Sequence, residues 1–132
     1  MSRSVVLIVE DDPDVASFLE TTLGDDHETR VAADGRSAQK LLDRITPDLI
    51  VLDVRLPFVS GVELCHMIRS SERLRCTPIL VVTAFPDSAE VSRIRQMGVE
   101  RILSKPVTPR RLREAAHAIL RGPGPTAEVS LA

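Results

Sequence analysis

Six polar side chains lie within three residues after short apolar runs of the sequence, and together they could perform phosphoryl transfer. Runs of branched residues without polar alternation are typical of parallel strands that are buried on both faces. Ligands of open parallel sheets bind at the carboxyl ends of the strands, so we expect these polar groups to converge on one shallow pocket. The six residues are Glu10, Asp11, Asp12, Asp53, Thr83 and Lys105.

Carboxylates that converge in one pocket repel each other, and this repulsion favours a bound cation. Two carboxylates about 4 Å apart repel by about 4 kcal/mol at an effective dielectric constant of about 20. A hard divalent ion, Mg²⁺ or Mn²⁺, would offset this repulsion and keep water ligands that leave room for a phosphate oxygen. Lys105 would add a cationic donor and Thr83 a hydroxyl donor, with the carboxylate of Asp53 as the nucleophile.

Each of these residues also has a purely structural interpretation. Taken alone, Asp53 would more often be a turn former, Thr83 a common residue at a strand end, and Lys105 a surface residue. Asp12 precedes Pro13, and this pair is typical of a helix N-cap followed by the first helical residue. We therefore interpret Asp12 as a cap rather than as a ligand.

The elements that must hold these groups alternate between buried strands and amphipathic helices. Five strand–helix units predict an α/β fold with a five-stranded parallel sheet, doubly wound so that helices cover both faces. Leu49 to Leu52 should form the central strand, and Thr29 to Ala33 a strand nearer an edge. The predicted helix starts include Pro13, Ser60 with Glu63 as a capping box, and Thr108-Pro109.

Length and composition limit the chain to one domain and exclude several functions. The 132 residues carry a net charge of −2, so nucleic-acid binding by this chain alone is not expected. The early apolar run Val5 to Val9 is too short to span a membrane, and a soluble, cytoplasmic protein is predicted. The phosphate-binding motifs G-x-x-x-x-G-K-[ST] and G-x-G-x-x-G are absent. The Gly- and Pro-rich residues 122–132 are predicted to be a flexible tail or the start of a linker.

Five motifs occur in a fixed order: Val6 to Pro13, Asp53 to Pro57, Ser60-Gly61, Val81 to Ala84 and Ser104 to Pro106. At these spacings they resemble the receiver domains of two-component response regulators, over about residues 4–121. The resemblance implies the CheY-like strand order 2-1-3-4-5 and a receiver domain at residues 1–121. It also implies a signalling switch rather than an enzyme, one that catalyses only its own phosphotransfer and dephosphorylation.

The resemblance assigns the acidic residues their roles. Asp53 would accept the phosphoryl group from the phosphohistidine of a sensor histidine kinase or of a histidine phosphotransfer protein. Asp11, Asp53 and the main-chain carbonyl of Arg55 would bind the metal directly, and Glu10 would act through water. The downstream target is expected to be another protein, which the sequence does not name.

The remaining roles concern the bound phosphoryl group. Thr83, followed by Ala84, would bond a phosphoryl oxygen and shift on phosphorylation. Lys105 would pair with another oxygen, and its peptide bond to Pro106 is expected to be cis. Such receivers commonly carry an aromatic switch residue in the fifth strand, whereas this chain has Ile102. The usual coupled movement of threonine and ring is therefore in doubt.

Two further departures concern phosphoryl lifetime and assembly. Arg55 and Phe85 occupy the positions, two residues beyond Asp53 and Thr83, where the family tunes dephosphorylation. We expect the bulky Phe85 to hinder water and to slow self-dephosphorylation. The segment 98–101 lacks the paired acids of receivers that dimerise through the fourth and fifth helices, so a monomer is favoured.

Two alternative functions use similar residues. A phosphatase of the haloacid-dehalogenase type also uses a strand-end aspartate, Mg²⁺, a threonine and a lysine, but it needs a second aspartate at the position of Arg55. A pseudo-receiver would have the same fold and act only as a docking module. The complete set of acidic, hydroxyl and lysine side chains argues against this, and Mg²⁺-dependent labelling would decide.

Overall fold

A computed structural model describes residues 3–121, and its centre is a five-stranded parallel sheet. The strand order β2-β1-β3-β4-β5 confirms the prediction, with β3 in the middle and β2 at one edge. The predicted tail, residues 122–132, lies outside the described residues. The strands are β1 Val5–Val9, β2 Glu28–Ala32, β3 Leu49–Leu52, β4 Ile79–Thr83 and β5 Arg101–Ser104.

Five helices cover the two faces of this sheet. One face packs against α1 and α5, and the other packs against α2, α3 and α4. Within residues 3–121, no helix has the length and apolarity needed to cross a membrane. The helices are α1 Pro13–Gly24, α2 Gly35–Leu42, α3 Gly61–Ser70, α4 Ala89–Met97 and α5 Pro109–Leu120.

The continuous apolar runs of the strands supply both core layers. Successive side chains of a strand point to opposite faces, so a strand covered on both sides needs apolar residues at every position. In β3, Ile50 packs into the layer under α2, α3 and α4, while Leu49 and Val51 pack into the layer under α1 and α5. This burial fixes the backbone of β3 up to the residue that precedes Asp53.

Side-chain caps determine where the helices begin. The Asp12 carboxylate accepts hydrogen bonds from the main-chain N–H groups of Asp14 and Val15, which confirms its role as an N-cap. Ser60 caps α3, and Glu63 completes the predicted capping box. Because α1 starts three residues after Glu10 and α3 starts eight residues after Asp53, these caps also hold the loops that carry the acids.

Some element boundaries differ from the predicted ones. β2 begins and ends one residue earlier than expected, and α2 ends at Leu42, before Ile45. The strand β5 includes Arg101 and Ser104, which pair with Leu80 and Thr83 of β4. Hydropathy did not indicate these two positions because their side chains are exposed and polar. The backbone pairing of β5 nevertheless extends one residue beyond each end of the apolar pair Ile102-Leu103.

Gly61 allows α3 to approach the strand end that carries Asp53. A Cβ atom at position 61 would lie 2.6 Å from Val54 Cα and 3.0 Å from the main-chain oxygen of Asp53. Such distances exclude a larger residue unless the backbone moves. The glycine therefore fixes the first turn of α3 against the loop that leaves β3.

Candidate functional site

Three carboxylates meet at the carboxyl end of the sheet. Glu10 and Asp11 follow β1, and Asp53 follows β3, which is the neighbouring strand. One oxygen from each carboxylate lies within 4.8 Å of the other two. The backbone holds this geometry, since the Glu10 N–H donates to Ala32 O at 3.1 Å and the Asp53 N–H donates to Val9 O at 3.0 Å.

Lys105 connects two of these carboxylates. Its Nζ lies 3.0 Å from Glu10 Oε1 and 3.4 Å from Asp53 Oδ2. Burial opposes the charge of this ammonium group, but the hydrogen bond to Glu10 and the charge of Asp53 raise the pKa of Lys105 above its usual value. The lysine is therefore a fixed cation between two distant acids. Glu10 lies 95 positions before it in the chain, and Asp53 lies 52 positions before it.

Glu10 is the most deeply buried of the three acids, with 2 % of its surface exposed. Burial raises the pKa of Glu10, and the hydrogen bonds from Lys105 and from the Asp12 N–H only partly offset this effect. Both of its carboxylate oxygens are engaged, because Oε1 faces Lys105 and Oε2 accepts from the Asp12 N–H at 3.2 Å. Asp11 is exposed, and the half-buried Asp53 has only longer contacts, with Oδ1 at 3.5 Å from the Arg55 N and Oδ2 at 3.4 Å from Lys105 Nζ, so these two acids have more freedom to bind an ion.

A small cleft of about 290 Å³ gives access to this cluster. At its mouth the guanidinium carbon of Arg55 lies 4.1 Å from the centre of the Phe85 ring, a cation–π contact. The Phe85 side chain is 51 % exposed. The lining residues are Glu10, Asp11, Asp12, Asp53, Arg55, Ala84, Phe85 and Lys105.

Thr83 lies beneath the cleft and does not line it. It is 1 % exposed, its hydroxyl accepts a hydrogen bond from the Phe85 N–H at 3.0 Å, and its main-chain oxygen accepts from the Lys105 N–H at 2.7 Å. Ala84, in contrast, is exposed and lines the cleft. Thr83 thus connects the backbone that leads to Phe85 with the strand that leads to Lys105.

Two features of β5 bear on the expected switch. Ile102 is half-buried and packs against the core layer under α2, α3 and α4. The peptide bond between Lys105 and Pro106 is cis, as the resemblance implies. The predicted site residues are therefore brought together, except that Ile102 packs away from the cleft and Thr83 lies below it.

Two features of the site were missed from the sequence. The contact between Arg55 and Phe85 was not predicted, although both residues lie within three positions of the ends of neighbouring parallel strands, which was a usable signal. An apolar hollow of about 550 Å³ also lies beside Lys105, between α1 and the loop before α5. Its walls include Phe18 and Val107, and periodicity placed Phe18 simply on the core face of α1.

Comparisons with known proteins agree on one family. The sequence profile described as "Response regulator receiver domain" matches residues 6–117. The polar-differentiation response regulator DivK of Brucella ovis is 33 % identical over 120 residues, which cover 91 % of this chain and 98 % of DivK. The sensor histidine kinase TmoS of Ectopseudomonas mendocina is 36 % identical over 108 residues, which cover 82 % of this chain but only 11 % of the kinase.

A solved structure supports the same assignment. The receiver domain of a sensor histidine kinase from Pseudomonas aeruginosa superimposes with a TM-score of 0.84 at 27 % identity, covering 92 % of this chain and all of that domain. That structure has a magnesium ion coordinated in its active site cleft. Fold and sequence comparisons therefore lead to the same class of signalling domain.

Proposed function

This chain belongs to the response regulator receiver domain family, and from that premise we propose that it is a phosphorylation switch whose phosphoacceptor is Asp53. The observation that carries the proposal is the position of Lys105 Nζ, which bridges Glu10 and Asp53 beside a third carboxylate. This arrangement holds one nucleophilic carboxylate at the mouth of a small cleft, with a cation ready for an incoming phosphoryl oxygen.

The donor set fits a hard divalent cation. Three carboxylates face one lysine, so the cluster keeps an excess of negative charge, and oxygen ligands are those that Mg²⁺ prefers. Asp11 and Asp53 would bind the ion directly, Glu10 through water, and the carbonyl of Arg55 is a further expected ligand. Mg²⁺ or Mn²⁺ bound there would stabilise the negative charge on the oxygens of the transferred group.

The chemical step uses the side chains already in place. A carboxylate oxygen of Asp53 attacks the phosphorus of a phosphohistidine, the new P–O bond forms as the P–N bond breaks, and the electron pair stays on the imidazole nitrogen. Lys105 exchanges its contact with Asp53 for a phosphoryl oxygen. Attack of water on the acyl phosphate reverses the modification, so the chain catalyses only its own phosphorylation and dephosphorylation.

The reporting of phosphorylation would begin at Thr83 and Lys105. The phosphoryl group carries roughly two negative charges and replaces the single charge of the Asp53 carboxylate, so the site gains about one negative charge. The hydroxyl of Thr83 would turn to a phosphoryl oxygen and give up its bond from the Phe85 N–H. The loops after β4 and β5 would then move and change the face formed by α4 and α5. Ile102 has no ring to swing, so the change would be carried by these loops.

The relatives support the proposed partners. A sensor histidine kinase or a histidine phosphotransfer protein would supply the phosphoryl group, and another protein would read the switch. A similar domain accounts for nearly all of DivK and for a small part of TmoS, so both a separate regulator and a module of a kinase occur among the relatives. Residues 1–121 would form the receiver, as a monomer in the cytoplasm.

Labelling with a small phosphodonor tests this function. We expect the full chain incubated with acetyl phosphate and Mg²⁺ to gain about 80 Da, the mass of one phosphoryl group, by intact mass spectrometry. The Asp53→Asn variant and a sample with excess chelator should gain nothing. An unlabelled wild-type chain that is fully folded would instead support a pseudo-receiver that acts only by docking.

A further inference from the structure

The loop between β3 and α3 contains a strained turn centred on Phe58. Within residues 3–121, Phe58 is the only residue other than glycine with a positive φ, which is 68°, and bulky residues rarely adopt this conformation. The Val59 N–H donates to Pro57 O at 2.9 Å, so residues 57–59 form a γ-turn of the rare positive-φ kind. The Phe58 side chain is 69 % exposed, so burial of its ring offsets little of the strain. Another contact must hold the turn.

The first turn of α2 supplies that contact. The guanidinium carbon of Arg36 lies 4.7 Å from the centre of the Phe58 ring, a cation–π contact. The Gly35 N–H donates to Pro57 O at 3.4 Å, so this oxygen accepts hydrogen bonds from the turn and from the helix. The first N–H groups of a helix have no acceptor within the helix, and Pro57 O supplies one. We call the contacts of Gly35 and Arg36 with residues 57–59 the α2 latch.

Glycine at position 35 lets α2 come very close to the turn. A Cβ atom there would lie 2.1 Å from Val59 O and 2.6 Å from Val59 Cβ. Any larger residue would push the helix and the turn apart. The α2 latch is therefore a tight backbone contact, and the pair of Arg36 and Phe58 lies on top of it.

The latched turn belongs to the loop that carries a proposed ligand of the cation. Arg55, whose main-chain oxygen is that ligand, lies two residues before Pro57. At the base of the same loop, the Gly61 N–H donates to Val54 O at 2.9 Å. The loop is thus held at its base by α3 and near its tip by α2, with the Arg55 carbonyl between the two points.

We propose that Arg36 and Phe58 are positioning residues for the divalent cation, because the α2 latch keeps the Arg55 carbonyl at the acidic cluster. This inference rests on the proposed function and adds two residues to it. A main-chain oxygen has no side-chain rotamer to adjust, so the loop backbone alone sets its position. Mg²⁺ needs near-ideal octahedral geometry, so a looser loop weakens its binding although every ligand is still present. Strain that persists beside a functional site is consistent with such a role.

Phe58→Asn separates this role from a purely structural one. Asparagine adopts positive φ more easily than phenylalanine, so the free energy of unfolding without metal should stay equal or rise. Affinity for Mg²⁺ should nevertheless fall by at least about threefold, the effect of losing one exposed cation–π contact. The chain has neither tryptophan nor tyrosine, so titration of the full chain with MgCl₂ is followed by NMR. A residue that only strains the surface would give the stability gain without the loss of affinity.

Matched variants test the arginine. Arg36→Met should weaken Mg²⁺ binding as much as Phe58→Asn does, and the double variant should lose little more, because both residues act through one contact. Arg36→Lys and Phe58→Tyr keep a cation and a ring, so their affinities should stay within about twofold of the wild type. Arg44→Met makes the same charge change at an exposed position just beyond α2 and should also stay within about twofold.

Amide hydrogen exchange without Mg²⁺ measures the latch directly. The Val59 N–H, which closes the turn, should exchange at least about threefold faster in Phe58→Asn and in Arg36→Met than in the wild type. The Gly61 N–H, at the base of the loop, should keep its rate and serves as the internal reference. This measurement depends neither on the metal nor on phosphorylation.

Labelling with acetyl phosphate shows where the defect lies. The Mg²⁺ concentration for half-maximal labelling rate should rise about threefold in Arg36→Met, while the rate at saturating Mg²⁺ stays within about twofold. Equal Mg²⁺ affinity in the wild type, Phe58→Asn and Arg36→Met would overturn the proposal, as would an equal loss in Arg44→Met. A wild-type chain that neither binds Mg²⁺ nor gains a phosphoryl group would count against the proposed function, and exchange at Val59 would still show whether α2 holds the loop.

Discussion

The two ends of the sheet hold charged side chains in opposite ways. At the carboxyl ends of the strands, three carboxylates face the single ammonium group of Lys105. At the amino ends, the guanidinium group of Arg69 contacts four acceptors: the main-chain oxygens of Gly98, Arg75 and Thr77, and the Glu100 carboxylate. One end has excess negative charge, and the other has a cation whose donors are satisfied.

This difference separates function from stability within one small domain. Arg69 ties together the loops before β4 and β5 and gives the part-buried carbonyl group of Thr77 a partner, as stable folds require. The acidic cluster leaves repulsion between carboxylates that no described side chain removes, and such repulsion is typical of sites that bind a cation. Substitutions at the carboxyl ends of the strands should therefore change phosphoryl labelling, and substitutions at the amino ends should change the free energy of unfolding.

The largest expected effect is the loss of phosphorylation in Asp53→Asn. The amide is not a nucleophile toward phosphorus, so labelling should fall from one phosphoryl group per chain to none. The same change removes a charge from the crowded cluster, so the free energy of unfolding in the absence of metal should stay equal or rise. Urea denaturation measures this free energy. A large loss of stability would contradict the separation of function at the carboxyl ends from stability at the amino ends.

Arg69→Met should show the opposite pattern. Removing a cation that holds four acceptors should cost about 2 kcal/mol of unfolding free energy, because the part-buried carbonyl group of Thr77 and three more exposed acceptors lose their donor. Labelling of Asp53 below the melting transition should be retained. As a control, Arg110→Met breaks an exposed ion pair with Glu114 and should cost less than about 0.5 kcal/mol.

Mg²⁺ should stabilise the protein through the acidic end alone. A ligand that binds only the folded state at about 100 times its dissociation constant adds about 2.7 kcal/mol. A thermal melting series should show this gain in the wild type and in Arg69→Met. The gain should be absent from Asp11→Asn, and a shift that persists in that variant would place the ion elsewhere.

Phe85→Ala should shorten the life of the phosphoryl group. The ring and the Arg55 guanidinium group cover the cleft mouth, so the wild type should lose its label slowly, and the alanine variant should lose it about three- to tenfold faster, which corresponds to about 1 kcal/mol. Decay of the labelled mass after removal of the donor measures this. Loss of label within seconds in both proteins would contradict the expected barrier to water.

The smallest effect concerns His27, just before β2, at the end of the sheet opposite the site. Burial lowers the pKa of His27 from about 6.5, and within residues 3–121 its Nδ1 has no hydrogen-bond partner. The unfolded chain therefore binds the proton more readily, so stability is full above about pH 6.5 and is lost as pH falls through the lowered value. Urea denaturation should show a small loss of stability at acidic pH that is absent from His27→Gln, with labelling at neutral pH unchanged.

Much of the site was predictable from the sequence because most of its residues come just after buried strands. A buried parallel strand is recognisable from its apolar residues, and the residue after it must lie at the carboxyl edge, so Asp53, Glu10 and Lys105 were predicted to meet. Helix caps at Asp12 and Ser60 were predictable for a similar reason, since capping is a local contact. The roles assigned to the site residues remain proposals until labelling tests them.

The sequence by itself determined the fold class, the strand order implied by its motifs and the edge at which the acids gather, because these depend on patterns along the chain. Tertiary structure alone decided which partner each charge finds. Lys105 lies between Glu10 and Asp53, Arg55 stacks on Phe85, and Arg36 stacks on Phe58. Such contacts depend on side-chain directions and distances between distant segments, which hydropathy and spacing do not specify.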